Sequence, residues 1–224
     1  TTCSGVTTST ADPMLGSLTG SPAYLPLLAG SPAKETGDDA TCTAYPVSST
    51  SQNHVHRPQD AHCEIGSFEV PLTATFRAVA SQDGWILESS ETSGTGGTLD
   101  STDTQVNVGD GTADKQYRSI LSFNTGPTLP DTAVIVGATL KLKKTATVGG
   151  SNPFTTLGYL YVDIKSGGFS GNGALQLSDF SAAGSKNATA KYTSASTTWI
   201  STNIGATGLP FVNRTGGTQI RLRF

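Results

Sequence analysis

With 224 residues the chain can hold one large or two small domains, and 14% charged residues, a single Met and 26 glycines leave little helix-building stock. Thr, Ser, Val and Gly instead suit strands and turns, so an all-β protein is expected. A formal net charge of −3 supplies no field toward nucleic acid or an anionic membrane, and no stretch approaches the roughly 18 apolar residues of a membrane span.

Residues 1–70 lack sustained alternation. X-Pro pairs interrupt them every 9 to 14 residues, at Asp12-Pro13, Ser21-Pro22, Ser31-Pro32, Tyr45-Pro46 and Arg57-Pro58. Apolar runs between them, such as Tyr24–Gly30, are too short for helices and too irregular for a free-standing sheet. All three cysteines lie here. A Cys42–Cys63 bridge would close a loop worth roughly 3 kcal/mol in the chain-entropy model, leaving Cys3 to pair with a residue upstream; the alternative is three reduced thiols. His54-x-His56, with Asp60 and His62, is the densest set of potential metal ligands, and the competing reading is a solvated, Pro-bounded loop.

From Phe68 the pattern changes to period two. Candidate strands are 68–79, 85–88, 105–108, 116–123, 133–144, 157–164, 197–200, 209–212 and 218–224, separated by Gly/Ser/Thr/Asn turns. The stretch 89–104 is low-complexity and reads as a flexible surface connection. Asp83, Glu88, Asp110 and Asp114 flank Gly-rich turns and could supply oxygen ligands to a structural calcium ion; as Asx-turn caps they would serve the backbone instead.

In 133–144, Val134, Val136, Ala138, Leu140 and Leu142 share one face, with Lys141 and Lys143 opposite. Arg221 and Arg223 likewise alternate with Ile220, Leu222 and Phe224. If the two strands are neighbours, the four cations form an outward stripe suited to an acidic polysaccharide. Tyr159 and Tyr161 project together from 157–164 and would line one surface on which sugar rings stack, or would pack as an ordinary cross-strand pair. Trp85 and Trp199 stand at strand starts. Asn187-Ala-Thr189 and Asn213-Arg-Thr215 are sequons that also arise by chance in a Thr-rich chain. No Gly-x-Ser-x-Gly elbow occurs, and no carboxylate pair is singled out by pattern. The last alternating strand reaches Phe224 without a turn, which predicts an open edge completed by another segment or chain.

Two segments resemble known families. Cys3-Ser-Gly, Ala11-Asp-Pro-Met-Leu-Gly-Ser-Leu18, Leu27-Leu-Ala-Gly-Ser-Pro-Ala33, Gly37-Asp-Asp, Cys42, Arg57-Pro-Gln and Cys63-Glu-Ile-Gly-Ser-Phe-Glu69 resemble the region that closes the parallel β-helix of choice-of-anchor Q bacterial surface proteins, which are pectin-lyase-like. The sequence departs from that pattern at Lys34-Glu35-Thr36 and over Tyr45–His56. From Val79 onward, Ala80-Ser-Gln-Asp-Gly-Trp-Ile-Leu-Glu88, Val106-Asn-Val-Gly109, Tyr117-Arg-Ser-Ile-Leu-Ser-Phe-Asn124, Leu129–Leu142 and Thr218–Phe224 are similar to the DNRLRE-type jelly roll of extracellular proteins. Both resemblances imply a chain cut from something longer.

Together they imply the end of a parallel β-solenoid over 1–70 followed by an antiparallel jelly-roll β-sandwich over 71–224, its last strand missing or supplied elsewhere. They place the protein outside a bacterial cell, secreted or on the surface. The functional expectation is a non-catalytic module that binds a polysaccharide or other surface glycan. The alternatives are a structural subunit that self-assembles through strand edges into a filament, sheath or matrix, and a fragment of a polysaccharide lyase or hydrolase, whose chemistry would lie on a solenoid body this chain lacks.

Overall fold

Pro13 precedes and Pro22 turns a short hairpin in which Met14 to Thr19 runs antiparallel to Tyr24 to Leu28, through bonds such as Gly16 N to Pro26 O (2.7 Å) and Tyr24 N to Thr19 O (2.7 Å). This computed structural model describes residues 10–126, 129, 131, 133–149, 151–196 and 198–224, so the expectation for Cys3 lies outside the described residues. The chain divides into two units, Thr1–Thr73 and Ala74–Phe224.

In the N-terminal unit, Leu27 packs with Ala33 and Phe68, flanked by Tyr24 and Val70, and the Tyr24 and Phe68 rings lie 5.4 Å apart. Asp38 caps the single-turn helix α1 (Asp39–Thr43) by accepting from Thr41 N, which turns Cys42 inward. Cys42 is disulfide-bonded to Cys63 across a Cα separation of 6.7 Å. A side chain at Gly37 would meet Cys63 O at 2.6 Å and Cys63 Sγ at 2.7 Å, so only glycine lets the chain pass so close. The expected solenoid stump is not found among the described residues: the bridges of this unit, Leu15–Leu27, Thr19–Tyr24 and Thr50–His56, are all antiparallel. Prolines spaced this closely end each apolar run before a coil can stack on the next.

The C-terminal unit is antiparallel β in two layers. In chain order its strands are β1 (Gly84–Glu88), β2 (Gly96–Asp100), β3 (Gly109–Asp110), β4 (Gln116–Asn124), β5 (Thr139–Lys143), β6 (Leu160–Ser166), β7 (Lys186–Tyr192), β8 (Trp199–Asn203) and β9 (Gly217–Arg223); a short helix, α2 (Pro153–Thr156), precedes β6. The larger sheet runs β2-β1-β4-β9-β6-β7, with β3 also on β4, and β5 pairs with β8 in a separate two-stranded sheet. The small sheet covers one face of the large one. Leu140 and Ile204 join Leu121, Leu160, Val162, Ile164, Tyr192, Ile220 and Leu222 in one buried cluster, with Leu142 and Ile200 packed on it. The Tyr192 hydroxyl donates to Leu140 O (2.9 Å), and burial pushes this phenol up. On the opposite face of the large sheet, Ile86 and Ile120 are covered by Phe169, Leu175 and Phe180 from the Gly167–Ala182 crossing.

Several expectations change. The last strand is not an open edge: β9 is interior, hydrogen-bonded to β4 along one side and β6 along the other. Within 89–104, expected to be a loop, Gly96–Asp100 forms β2 against β1. Regions 68–79 and 105–108 form no strand beyond one bridge, Ala78–Phe123, although Val106 and Val108 still pack on the core. Residues 209–212 begin as a 3-10 turn, Leu209–Phe211. The 133–144 strand shrinks to Thr139–Lys143, because β8 ends at Asn203, opposite Thr139, and the ladder closes with Ile204 N to Ala138 O. Val134 and Val136, beyond that point, stay exposed.

Candidate functional site

Register on the large sheet decides which side chains meet. Tyr161 lies opposite Arg223 on β9 and Lys191 on β7, while Asp163 lies opposite Arg221. Alternation therefore gathers Tyr161, Asp163, Lys191, Arg221 and Arg223 on the face turned away from the apolar cluster, with Tyr159, two residues ahead of Tyr161, on the same side.

Asp163 is the electrostatic centre. Fully buried, it accepts from Arg221 Nε (3.0 Å) and Nη2 (2.8 Å), from Arg223 Nε (2.9 Å) and Nη2 (3.2 Å), and from Ala188 N (2.8 Å). Burial opposes its charge, but Arg223, the Ala188 amide and Arg221 together hold the carboxyl below its ordinary range. Arg221 is buried as well. It donates to the carbonyls of Asp179, Phe180 and Ala182 and lies 4.6 Å from the Phe169 ring centroid. Arg118, on β4, donates to Phe180 O (2.6 Å), and its guanidinium lies over the Phe180 ring at 4.1 Å. Burial first, then the nearby Arg221 and Arg223, pulls Arg118 down to about 10.

At the edge of this network the face opens. The Tyr159 and Tyr161 rings meet edge to face at 6.1 Å, and Tyr159 is 43% exposed. Lys191 Nζ sits 3.7 Å from the Tyr159 centroid, and the Arg223 guanidinium 5.5 Å from that of Tyr161. The arrangement is one exposed ring buttressed by a second, with two cations beside them and a rigid sheet behind. It can hold the apolar face of a small ring while offering charged donors to its substituents.

The expected four-cation stripe does not form. Lys141 and Lys143 belong to β5 in the other layer, whereas β9 lies inside the large sheet with Arg221 under the Gly167–Ala182 crossing. The two lysines nevertheless face solvent beside Trp199. Lys143 pairs with Trp199 in register, Lys141 Nζ lies 5.0 Å from the indole centroid, and Trp199 is 53% exposed. The other indole, Trp85, meets Tyr117 edge to face at 5.1 Å.

No family model, curated protein or solved structure compared with this chain matches it.

The expected calcium ligands are not assembled as a set. Asp83 accepts from Ser122 N (2.7 Å) ahead of β1, and burial raises it to about 6. Glu88 ends β1 about 16 Å farther along an extended chain, with its oxygens taken by Gly94 N (2.7 Å) and Gln116 N (3.2 Å). Asp110 is raised by burial and then by Asp114 and Glu88, so those three are neighbours in charge. Among the described residues no group of three His, Cys, Asp or Glu side chains is placed to hold a metal ion. His54 and His56 are exposed, and His62 pairs with Asp39 instead (2.9 Å). That contact raises His62 and, with the Cys63 amide, lowers Asp39.

The N-terminal unit carries a polar cluster that its sequence did not announce. Arg57 Nε bonds Glu69 (2.9 Å), both side chains being buried, and Arg57 Nη2 bonds Glu64 O. Glu69 also accepts from Gln59 N and Glu64 N. Burial and the adjacent Glu69 raise the Glu64 carboxyl to about 8, so it is largely protonated at neutral pH. Two grooves are also present among the described residues. One of about 350 Å³ in the C-terminal unit is lined by Gly167, Gly168, Gly173, Gly217, Gln82 and Gln219 among others; one of about 400 Å³ in the N-terminal unit is lined mainly by apolar residues including Leu15, Leu18, Tyr24 and Phe68.

Lys191 and Arg118 were not singled out from sequence. In Lys186–Tyr192 the alternating row is only Ala188, Ala190 and Tyr192, a weak signal, and Arg118 sits in an expected strand whose middle is buried on both faces, so its own face was not legible. Trp199 was placed at a strand start, but whether it faced core or solvent depended on which layer its strand joined.

Proposed function

We propose that the chain is a non-catalytic, extracellular glycan-binding module, with the C-terminal unit, a jelly-roll type of sandwich, as the binding part and a bacterial surface or secretion as its setting. The exposed Tyr159 ring, beside Lys191 and held edge to face by Tyr161, which has Arg223 beside it, carries this reading. Rings on a stiff sheet lose little freedom on binding, which suits weak, repeated contacts to a polymer. The Cys42–Cys63 disulfide favours an oxidising compartment, and the Gly/Ser/Thr-rich composition and the likeness of 79–224 to DNRLRE-type modules agree with that location. Affinity electrophoresis through gels containing soluble polysaccharides tests the proposal. Wild type is retarded by at least one polysaccharide, while Tyr159→Ala, with an unchanged circular dichroism spectrum and melting curve, loses roughly tenfold or more in affinity. Retardation by none of a broad panel, or equal retardation of the variant, removes the reading.

A second reading, a subunit that self-assembles through strand edges, now rests on a different strand. Among the described residues β5 is hydrogen-bonded along one side only, to β8, and is preceded by the exposed Val134 and Val136. Val134 and Val136, uncharged and β-prone beside this one-sided edge, favour pairing with another chain, whereas Lys141 and Lys143 within β5 oppose it. Concentration-dependent sedimentation abolished by Val136→Lys supports assembly; a monomer at every concentration excludes it.

A further inference from the structure

We infer that the Tyr159/Tyr161 face binds an acidic polysaccharide, a chain bearing carboxylates, with Lys191 and Arg223 as the groups that select it; this rests on the glycan-binding reading above. Its basis is a local charge excess in a chain whose formal net charge is −3. On this side of the large sheet Arg118, Lys165, Lys191, Arg221 and Arg223 outnumber Asp163, Glu88, Asp179 and Asp110, the last in register with Gln116. Three of these carboxylates are buried, Asp163 held by two guanidinium groups, Glu88 by the amides of Gly94 and Gln116, and Asp179 through one oxygen by Gln176 N, while Asp110 is exposed. Arg118 and Arg221 are occupied by backbone carbonyls of the covering segment.

Of the positive charge that reaches solvent on this face, Lys191 and Arg223 stand at the tyrosines, and Lys165 lies farther along β6. Arg223 uses Nε and Nη2 on Asp163, and among the described residues its Nη1 and the Nζ of Lys191 make no hydrogen bond. The Arg223 side chain is 26% exposed and Lys191 is exposed, so both can donate to an incoming anion without breaking the internal pair. Asp163 fixes the Arg223 fork before a ligand arrives, which keeps the ordering cost of binding low. Two rings set edge to face, Tyr159 beside Lys191 and Tyr161 beside the anchored Arg223, fit a sugar that carries a carboxylate beside its ring: the ring packs on Tyr159 and the carboxylate meets Lys191 and Arg223. A neutral sugar would leave those donors with water only.

Affinity electrophoresis in polygalacturonate, in dextran sulfate and in a neutral glucan, each at low and high salt, tests this with the intact chain. The expected result is strongest retardation by polygalacturonate, weakened by salt and reduced roughly tenfold in Lys191→Gln, the scale of one charge-assisted contact. Lys191 is exposed, so the variant should fold; Lys191→Arg, which keeps the charge, should restore most of the affinity. Tyr159→Ala should lose binding to all polymers, which separates the two proposals. Stronger retardation by dextran sulfate than by polygalacturonate would mean simple ion exchange and overturns the inference. So does retardation by the neutral glucan alone, or a Lys191→Gln variant that behaves as wild type, though either leaves glycan binding standing.

Discussion

In the N-terminal unit the clustered apolar core is Leu27, Ala33 and Phe68, whereas in the C-terminal unit nine buried side chains from both layers interlock on one face of the large sheet and five more on the other. The N-terminal unit compensates with a disulfide and a buried Arg57–Glu69 pair. The C-terminal unit also buries an ion pair, Asp163 with Arg221, but builds it into the network behind the tyrosine face. The difference shows two uses of a buried charge. In one unit it ties irregular loops that lack ladders of hydrogen bonds; in the other it positions a surface cation on an already stable sheet.

The sharpest way to break the comparison is to remove one partner of each buried ion pair. Arg57→Ala leaves Glu69 facing Glu64 without a counter-charge and should cost about 3–5 kcal/mol in the N-terminal unit alone. Asp163→Ala strands Arg221 and should cost a similar amount in the C-terminal unit, but it also frees Arg223 and so alters binding. Amide hydrogen exchange followed by mass spectrometry assigns each loss to its unit; protection lost in both units from either change would refute the separation. Reducing Cys42–Cys63 comes next. It should destabilise the N-terminal unit by roughly 3 kcal/mol and leave protection of β4, β6 and β9 unchanged, measured the same way with and without reductant.

The smallest effect is a pH slope. Glu64 keeps its proton to about pH 8 when folded but releases it near its ordinary value of 4.5 when unfolded. The folded unit thus binds the extra proton between those values, and its stability declines as pH rises through that window, by at most about 1.4 kcal/mol per pH unit. Exchange protection of the N-terminal unit should fall from pH 6 to pH 8 after correction for intrinsic exchange (roughly tenfold per pH unit at the limit), and Glu64→Gln should flatten it. A slope that survives this substitution assigns the effect to another group.

Legibility in the sequence followed the same division. The rows Leu140/Leu142, Ile220/Leu222 and Leu160/Val162/Ile164 were readable because alternation is a local signal, and they do share one core. Tyr159 and Tyr161 were readable as a pair for the same reason. β2 and β7 were hidden, since their residues are held by partners more than by their own pattern: β2 is mostly exposed Gly-Gly-Thr, and β7 reads Lys-Asn-Ala-Thr-Ala-Lys-Tyr. The Pro-punctuated start announced irregular structure and a plausible Cys42–Cys63 pair, but not an antiparallel hairpin in place of a solenoid turn.

From sequence alone came the β class, the absence of long helices, the inward rows of the main strands and the pairing of two tyrosines on one side. Composition and period two act through each residue's own backbone and its immediate neighbours. Tertiary structure alone decided that β9 lies inside the sheet, that Arg221 is buried while Arg223 reaches the surface, and that Lys141 and Lys143 join Trp199 on another layer. Those outcomes depend on which distant strand supplies the neighbouring hydrogen bonds, and strand order leaves no mark on the local alternation of any one strand.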